Sequence, residues 1–213
     1  MNTSSILLEQ NNDIAHLILD RPPKNETDSH LFEELSRLAN QVLPKLRVSG
    51  IICYGRGRHF SSGANVAELK KRVQGPPDKS STEYLLHNIS AIHALADLPY
   101  PVVAAIGGCC LGSGLELALA CNYRIATKNA VMALPETQIG LMPGCGGTVR
   151  MSKLVGYSKA IELILTGKSL LADEALKIGL VDMVVSRKEL LSAAEKLVRK
   201  IRLYTNGIEI GSN

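Results

Sequence analysis

The stretch Pro101–Cys121, PVVAAIGGCCLGSGLELALAC, decides the architecture. It is apolar almost throughout, carries one charge at Glu116, and holds Gly107, Gly108, Gly112 and Gly114 in its middle. Its length would cross a bilayer, and Gly108 and Gly112 form a G-x-x-x-G spacing. Pro99 and Pro101 at its entrance, the interrupting glycines and the carboxylate, which is costly in lipid, argue against that reading. The segment instead reads as a buried strand over Val102–Ile106, a glycine turn, and a buried helix over Gly112–Cys121. In that helix Leu115, Leu117, Ala118, Leu119 and Ala120 leave no polar face, so it is enclosed on all sides.

Outward from this stretch, strand and helix patterns alternate. Upstream, Ile6–Glu9 and Ile14–Leu19 are apolar runs separated by Gln10-Asn11-Asn12-Asp13, a strand–turn–strand pattern. Leu31, Leu35, Leu38, Ala39 and Val42 predict a helix over Asp28–Leu43, and Gly50–Gly55 a buried strand. Arg56–Ala64 is a glycine–serine loop, Val66–Val73 a short helix, and Gln74–Ser81 a flexible excursion. Tyr84–Leu98 is amphipathic. Downstream, Tyr123–Ala126, Val131–Ala133 and Val181–Val185 read as strands. Helices are expected over Gly147–Leu154, Ser158–Leu165, Asp173–Ile178 and Arg187–Leu203. The result is a single α/β layered domain over residues 1–204, with 205–213 a loose polar tail.

Composition sets the outer limits. The 213 residues are 46% apolar and 21% charged, which excludes wholesale disorder and suits one domain with a sizeable core. Lys plus Arg number 24 against 20 Asp plus Glu, a net charge of +4 that is too mild for a nucleic-acid protein and fits a preference for anionic small molecules. Cys53, Cys109, Cys110, Cys121 and Cys145 are odd in number, two are adjacent, and they form no C-x-x-C pair. Reduced, packed thiols in a cytoplasmic protein are expected rather than disulfides or a metal site. The first residues, MNTSSILLEQNND, lack the pattern of a secretory signal.

Chemistry concentrates at two carboxylates. Glu116 is either a working acid or base with a pKa raised by burial, or half of a structural ion pair with Arg124 or Arg150. Glu136 follows Pro135, which is a common helix start, yet apolar flanks at Val131–Leu134 and Ile139–Met142 also suit an acid/base partner for Glu116. The glycines before the buried helix open its N-terminal N–H groups to an anion, or serve a tight turn. Ser61, Ser62 and Ser113 are poor nucleophile candidates, because no histidine follows His93 to serve as their base.

Three stretches in order resemble the enoyl-CoA hydratase/isomerase (crotonase) family: Gly55–Val66 (GRGRHFSSGANV), Pro101–Cys121, and Leu134–Thr148 (LPETQIGLMPGCGGT). Leu19–Asn25, Leu165–Lys168 and Ala172–Asp182 are similar to it as well, so the likeness runs roughly from residue 5 to 200. It implies a crotonase-like spiral of ββα units and hydration of a 2-enoyl-CoA to a 3-hydroxyacyl-CoA, with coenzyme A part of the substrate and no separate cofactor or metal. By position, Glu116 and Glu136 match the catalytic glutamates, and the backbone N–H groups of Ala64 and Ser113 match the oxyanion hole. Lys24, Asn65, Val66, Gly112, Pro135 and Gly144 match substrate-binding positions, and the acyl walls are expected near Val73–Leu86 and Leu141–Cys145.

Two departures accompany the likeness. Ser113 stands where glycine is usual, and its hydroxymethyl is expected to crowd the thioester. Asn65 stands where aspartate is frequent, which unsettles the local loop pairing. The family also implies a trimer or hexamer with no membrane or nucleic-acid partner, and its usual C-terminal helices have no counterpart in this sequence. Alternatives within the fold are double-bond isomerisation, for which the family generally keeps only the carboxylate matching Glu136, and other acyl-thioester dehydration or decarboxylation. The alternative outside catalysis is an acyl-CoA- or RNA-binding member.

Overall fold

The computed structural model describes residues 4–69 and 79–205. Strands β1 (Ile6–Asn11) and β2 (Ile14–Leu19) form an antiparallel hairpin, paired from Ile6↔Leu19 to Asn11↔Ile14. From β2 onward the main sheet is parallel: β3 (Gly50–Gly55), β4 (Val102–Ile106), β6 (Tyr123–Thr127) and β9 (Met183–Val185) add in turn. A second sheet contains β5 (Cys109–Leu111), β7 (Val131–Ala133) and β8 (Leu170–Leu171) in that order.

The repeat behind this arrangement is a strand in the large sheet followed by a short strand in the small one. The pairs β4–β5 and β6–β7 both do this. After β3 the chain makes the same move with a single bridge, Ser61 to Cys110. This stacking is the crotonase-like spiral, and it brings the loops after β3, β5 and β7 side by side. The central strands of the large sheet are buried on both faces. Ile51, Cys53, Val102 and Ala104 join the main core, while Ile52, Val103 and Ala105 pack with Ile125 against Leu190, Ala194 and Val198 of α7 (Leu190–Thr205). Two-sided burial explains why these strands read as continuous apolar runs.

Helix α1 (Ser29–Arg37) is capped by Asp28, whose carboxylate accepts the Leu31 N–H at 3.0 Å. The helix does not run to Leu43 as a regular α-helix. It widens to a π turn at Leu38–Val42 and tightens to a 3-10 turn at Leu43–Lys45, ahead of and around Pro44, which has no N–H to continue the ladder. Helix α2 is Lys79–Ala96, so residues 79–81 are helical rather than part of an excursion. Residues 66–69 are helical. The remainder of the short helix expected to Val73, and of the excursion from Gln74, lies outside the described residues.

Helix α3 (Ser113–Ala120) is buried at every residue, as its composition requires. Helices α4 (Gly147–Val155), α5 (Tyr157–Thr166) and α6 (Ala172–Lys177) follow. The turn before α3 contains β5, too short to announce itself. The strand expected at Val181 begins at Met183, because the Leu180 and Val181 N–H groups both donate to the Ala175 carbonyl at the end of the preceding helix, at 2.8 and 3.3 Å, instead of entering the sheet. Thr205 ends α7 instead of starting a tail, and 206–213 lie outside the described residues. Among the described residues no helix is long and apolar enough to cross a membrane. All five cysteines are free thiols, and Cys109 alone of them is not fully buried.

Candidate active site

Glu116 lies one turn into α3 and is 1% exposed. Its partners are neither Arg124 nor Arg150. Its Oε1 accepts two backbone N–H groups, from Cys145 at 2.7 Å and from Gly147 at 2.8 Å. Gly147 opens α4, so the carboxylate sits at a helix N-terminus, where an anion is favoured. The contact is close enough to require glycine: a Cβ at 147 would stand 2.8 Å from Glu116 Cγ and 2.9 Å from its Oε1. Burial raises the Glu116 pKa, and the N–H bonds from Gly147 and Cys145 with the nearby Arg150 charge oppose that rise. Arg150 works one step away, donating to the Cys145 carbonyl at 2.9 Å. Arg124 is occupied elsewhere, donating to the Leu180 and Cys121 carbonyls at 2.8 Å each.

Glu136 starts the 3-10 turn Glu136–Ile139, with Pro135 as its N-cap rather than its first residue. Its Oε2 is buried and accepts no hydrogen bond among the described residues. Burial, reinforced by the Glu116 charge, pushes its pKa from an ordinary 4.5 up to about 7. The two carboxyl groups are therefore electrostatic neighbours. They differ in support: Glu116 has two N–H donors holding its charged form, whereas Glu136 has an oxygen with none. A proton shared by the pair rests preferentially on Glu136.

Gly112, the N-cap of α3, sits directly under Glu136. Its φ of +52° is left-handed backbone, and a Cβ there would stand 3.1 Å from Glu136 Oε1 and 3.9 Å from the Gly63 Cα. That contact joins the loop bearing Ala64 to the start of α3. Neither the Ala64 N–H nor the Ser113 N–H donates to a backbone or side-chain acceptor among the described residues. The Ser113 hydroxyl does not stand in the site as expected from its bulk. It is turned into the core, 2.6 Å from the Thr27 hydroxyl.

The other expected positions cluster around these loops. The Lys24 carbonyl accepts the Ser62 N–H at 2.9 Å, and the Lys24 side chain is exposed beside Glu26. Lys24 also lines an open depression of about 710 Å³ with Ser4, Arg21, Pro22, Pro23 and Glu26. Asn65 keeps the loop ordered where its replacement of aspartate was expected to unsettle it. Its Oδ1 accepts the Glu68 N–H at 3.0 Å and its amide donates to Glu26 at 2.8 Å, a bond aspartate could not make. Val66 begins the helical residues beside it and is exposed. Gly144 lies against Leu85 of α2, a Cβ there falling 2.8 Å from Leu85 Cδ1, so the two expected acyl walls meet at this point.

Thr27 and Gly147 escaped sequence reasoning as contributors to the site, as did the Cys145 N–H as a donor to Glu116. Ser61 is buried and its hydroxyl accepts the Gly63 N–H at 3.1 Å, while His59 Nδ1 accepts the Cys109 N–H at 3.0 Å, so both are structural. Among the described residues no group of three or more His, Cys, Asp or Glu is placed to hold a metal.

A ββα spiral with one buried and one half-buried carboxyl group beside the N-terminus of an enclosed helix defines a crotonase-like protein. The chain belongs to the enoyl-CoA hydratase/isomerase family, whose sequence pattern it matches over residues 9–206. It is 37% identical over 201 residues to a probable enoyl-CoA hydratase of Bacillus subtilis (strain 168), covering 94% of this chain and 76% of that protein. Among solved structures it is similar to Pseudomonas aeruginosa DspI, at 34% identity and a TM-score of 0.85, over 93% of this chain and 80% of that one. It is also similar to a putative enoyl-CoA hydratase of Thermobifida fusca in complex with acetoacetyl-CoA, at 28% identity and a TM-score of 0.83, over 93% and 80% of the two chains.

Proposed function

We propose that the protein adds water across the double bond of a 2-enoyl-CoA thioester to give a 3-hydroxyacyl-CoA. The observation that carries this reading is the unequal carboxyl pair. Hydration needs a base for water at the β-carbon and an acid for the α-carbon in one turnover. Glu116, with two N–H groups favouring its charge, suits the base. Glu136, with a pKa near 7 and an unpartnered oxygen, suits the acid.

In this mechanism the thioester carbonyl oxygen accepts the N–H groups of Ala64 and Ser113. Glu116 takes a proton from a water held between the two carboxyl groups as its oxygen bonds to the β-carbon. The double-bond electrons move toward the carbonyl, and the two N–H donors stabilise the enolate oxygen where its charge develops. The enolate then takes its α-proton from Glu136, and the proton gained by Glu116 passes to Glu136 to restore the pair. Lys24, Asn65, Val66, Gly112, Pro135 and Gly144 border the bound thioester in this reading. The solved relative holding acetoacetyl-CoA supports an acyl-CoA as the ligand.

We also propose a homo-oligomer, a trimer or a dimer of trimers. Tyr157, Ile161 and Leu165 are exposed at every fourth position along α5, an apolar stripe suited to a second copy. The free thiols support a reducing, cytoplasmic setting and the reaction fits fatty acid metabolism.

Isomerisation is the second reading, favoured by Glu136 alone, whose pKa near 7 suits a proton shuttle between two carbons. Mass spectrometry of the product separates them. Crotonyl-CoA should gain the mass of one water. Recovery of crotonyl-CoA unchanged, with conversion of a 3-enoyl-CoA to an isomer of equal mass, would overturn hydration.

A further inference from the structure

Thr27 touches both halves of the donor pair. Its N–H donates to the Gly63 carbonyl at 2.9 Å and its carbonyl accepts the Asn65 N–H at 2.8 Å, gripping the loop on either side of Ala64. In such a bridge the Ala64 N–H points away from Thr27, which leaves it free for another acceptor. The Thr27 side chain reaches in a different direction and meets the Ser113 hydroxyl at 2.6 Å. Thr27 is 1% exposed and Ser113 9%, so the two hydroxyls have little access to water as an alternative partner.

One residue thus holds Ala64 by its main chain and Ser113 by its side chain. The contact spans 86 positions of sequence, and among the described residues neither hydroxyl has another protein partner. Position 113 would need no side chain to supply a backbone donor. The serine there is used inward, on Thr27, and fixes the first residue of α3 against the Ala64 loop.

We propose that Thr27 is a positioning residue, its hydroxyl bridge to Ser113 setting the spacing of the Ala64 and Ser113 N–H groups that receive the thioester oxygen. This rests on the hydratase reading for its substrate. Stabilisation of an enolate oxygen requires both donors within about 3 Å of it, so a small shift of one loop weakens the transition state more than the ground state. Loss of the bridge therefore lowers kcat more than it raises KM.

The test uses Thr27→Val, Ser113→Ala, the double variant and Thr27→Ser, each checked for thermal stability. Two readouts are followed: hydration of crotonyl-CoA, and the pH at which bound acetoacetyl-CoA becomes its enolate, read by ultraviolet absorbance. The second requires the donor pair but neither added water nor a completed turnover. Each single variant should lower kcat about tenfold with KM changed by less than about twofold. Each should also raise the pH of enolisation. The double variant should be no worse than the poorer single one, since both remove the same bridge. Thr27→Ser should recover much of what Thr27→Val loses.

Multiplying losses in the double variant, unchanged enolisation, or equal losses in Thr27→Ser and Thr27→Val would overturn the proposal. If the unmutated protein enolises acetoacetyl-CoA without hydrating crotonyl-CoA and the variants lose enolisation, the hydratase reading falls and the bridge stands. If it does neither, both fall.

Discussion

Replacing Glu136 by glutamine should change stability in a way that depends on pH. The Glu136 pKa rises from an ordinary 4.5 to about 7 on folding, because the carboxyl group is partly desolvated, with one oxygen buried and unpartnered, and faces the Glu116 charge. The folded protein therefore binds this proton more tightly than the unfolded chain. Stability from this group is fully present below pH 4.5 and is lost as pH rises to about 7. A shift of that size corresponds to at most about 3 kcal/mol, and partial solvent access reduces it to about 1–2 kcal/mol. Glutamine mimics the neutral acid. Glu136→Gln should match the unmutated protein near pH 4 and exceed its stability by about 1–2 kcal/mol near pH 8. Urea unfolding of both proteins at the two pH values measures this, with equal slopes required. A difference that is the same at both pH values, or that favours the unmutated protein at pH 8, would refute the assignment of a strained carboxylate at Glu136.

Other expectations test separate parts of the site. Gly147→Ala places a Cβ 2.8 Å from Glu116 Cγ and should displace that carboxylate, lowering kcat about 100-fold, with stability followed by thermal melting. Asn65→Asp keeps the bond to the Glu68 N–H but sets like charges together at Glu26, costing about 0.5–1 kcal/mol. Adding Glu26→Gln should restore that loss in urea unfolding. Ile161→Glu should break the proposed oligomer, and sedimentation at equal concentrations should show a smaller species than for the unmutated chain.

The parts of the fold legible in the sequence are those whose cause is local. Pro101–Cys121 announced a strand and an enclosed helix because burial on both sides leaves an unbroken apolar run. Glu116 stood out for the same reason, as the one charge among those side chains. Strands β5 and β8 were not legible, being three and two residues long and defined by partners far away in the chain. Of the two readings open for Glu116, the ion pair with an arginine does not form; its actual partners, the N–H groups of Cys145 and Gly147, leave no side-chain signature. Thr27 was invisible for a related reason: its role depends on a contact with Ser113 that only the packed fold creates. The inward turn of the Ser113 hydroxyl likewise replaced an expected clash with a bond.

In the proposed reaction Glu116 and Glu136 together add water to an enoyl thioester. The direct measurement is loss of crotonyl-CoA absorbance with the purified protein, beside Glu116→Gln and Glu136→Gln. The unmutated protein should turn over crotonyl-CoA, and either substitution should lower the rate about 100-fold or more. No turnover by the folded, unmutated protein, or full turnover by either variant, would contradict the proposed reaction.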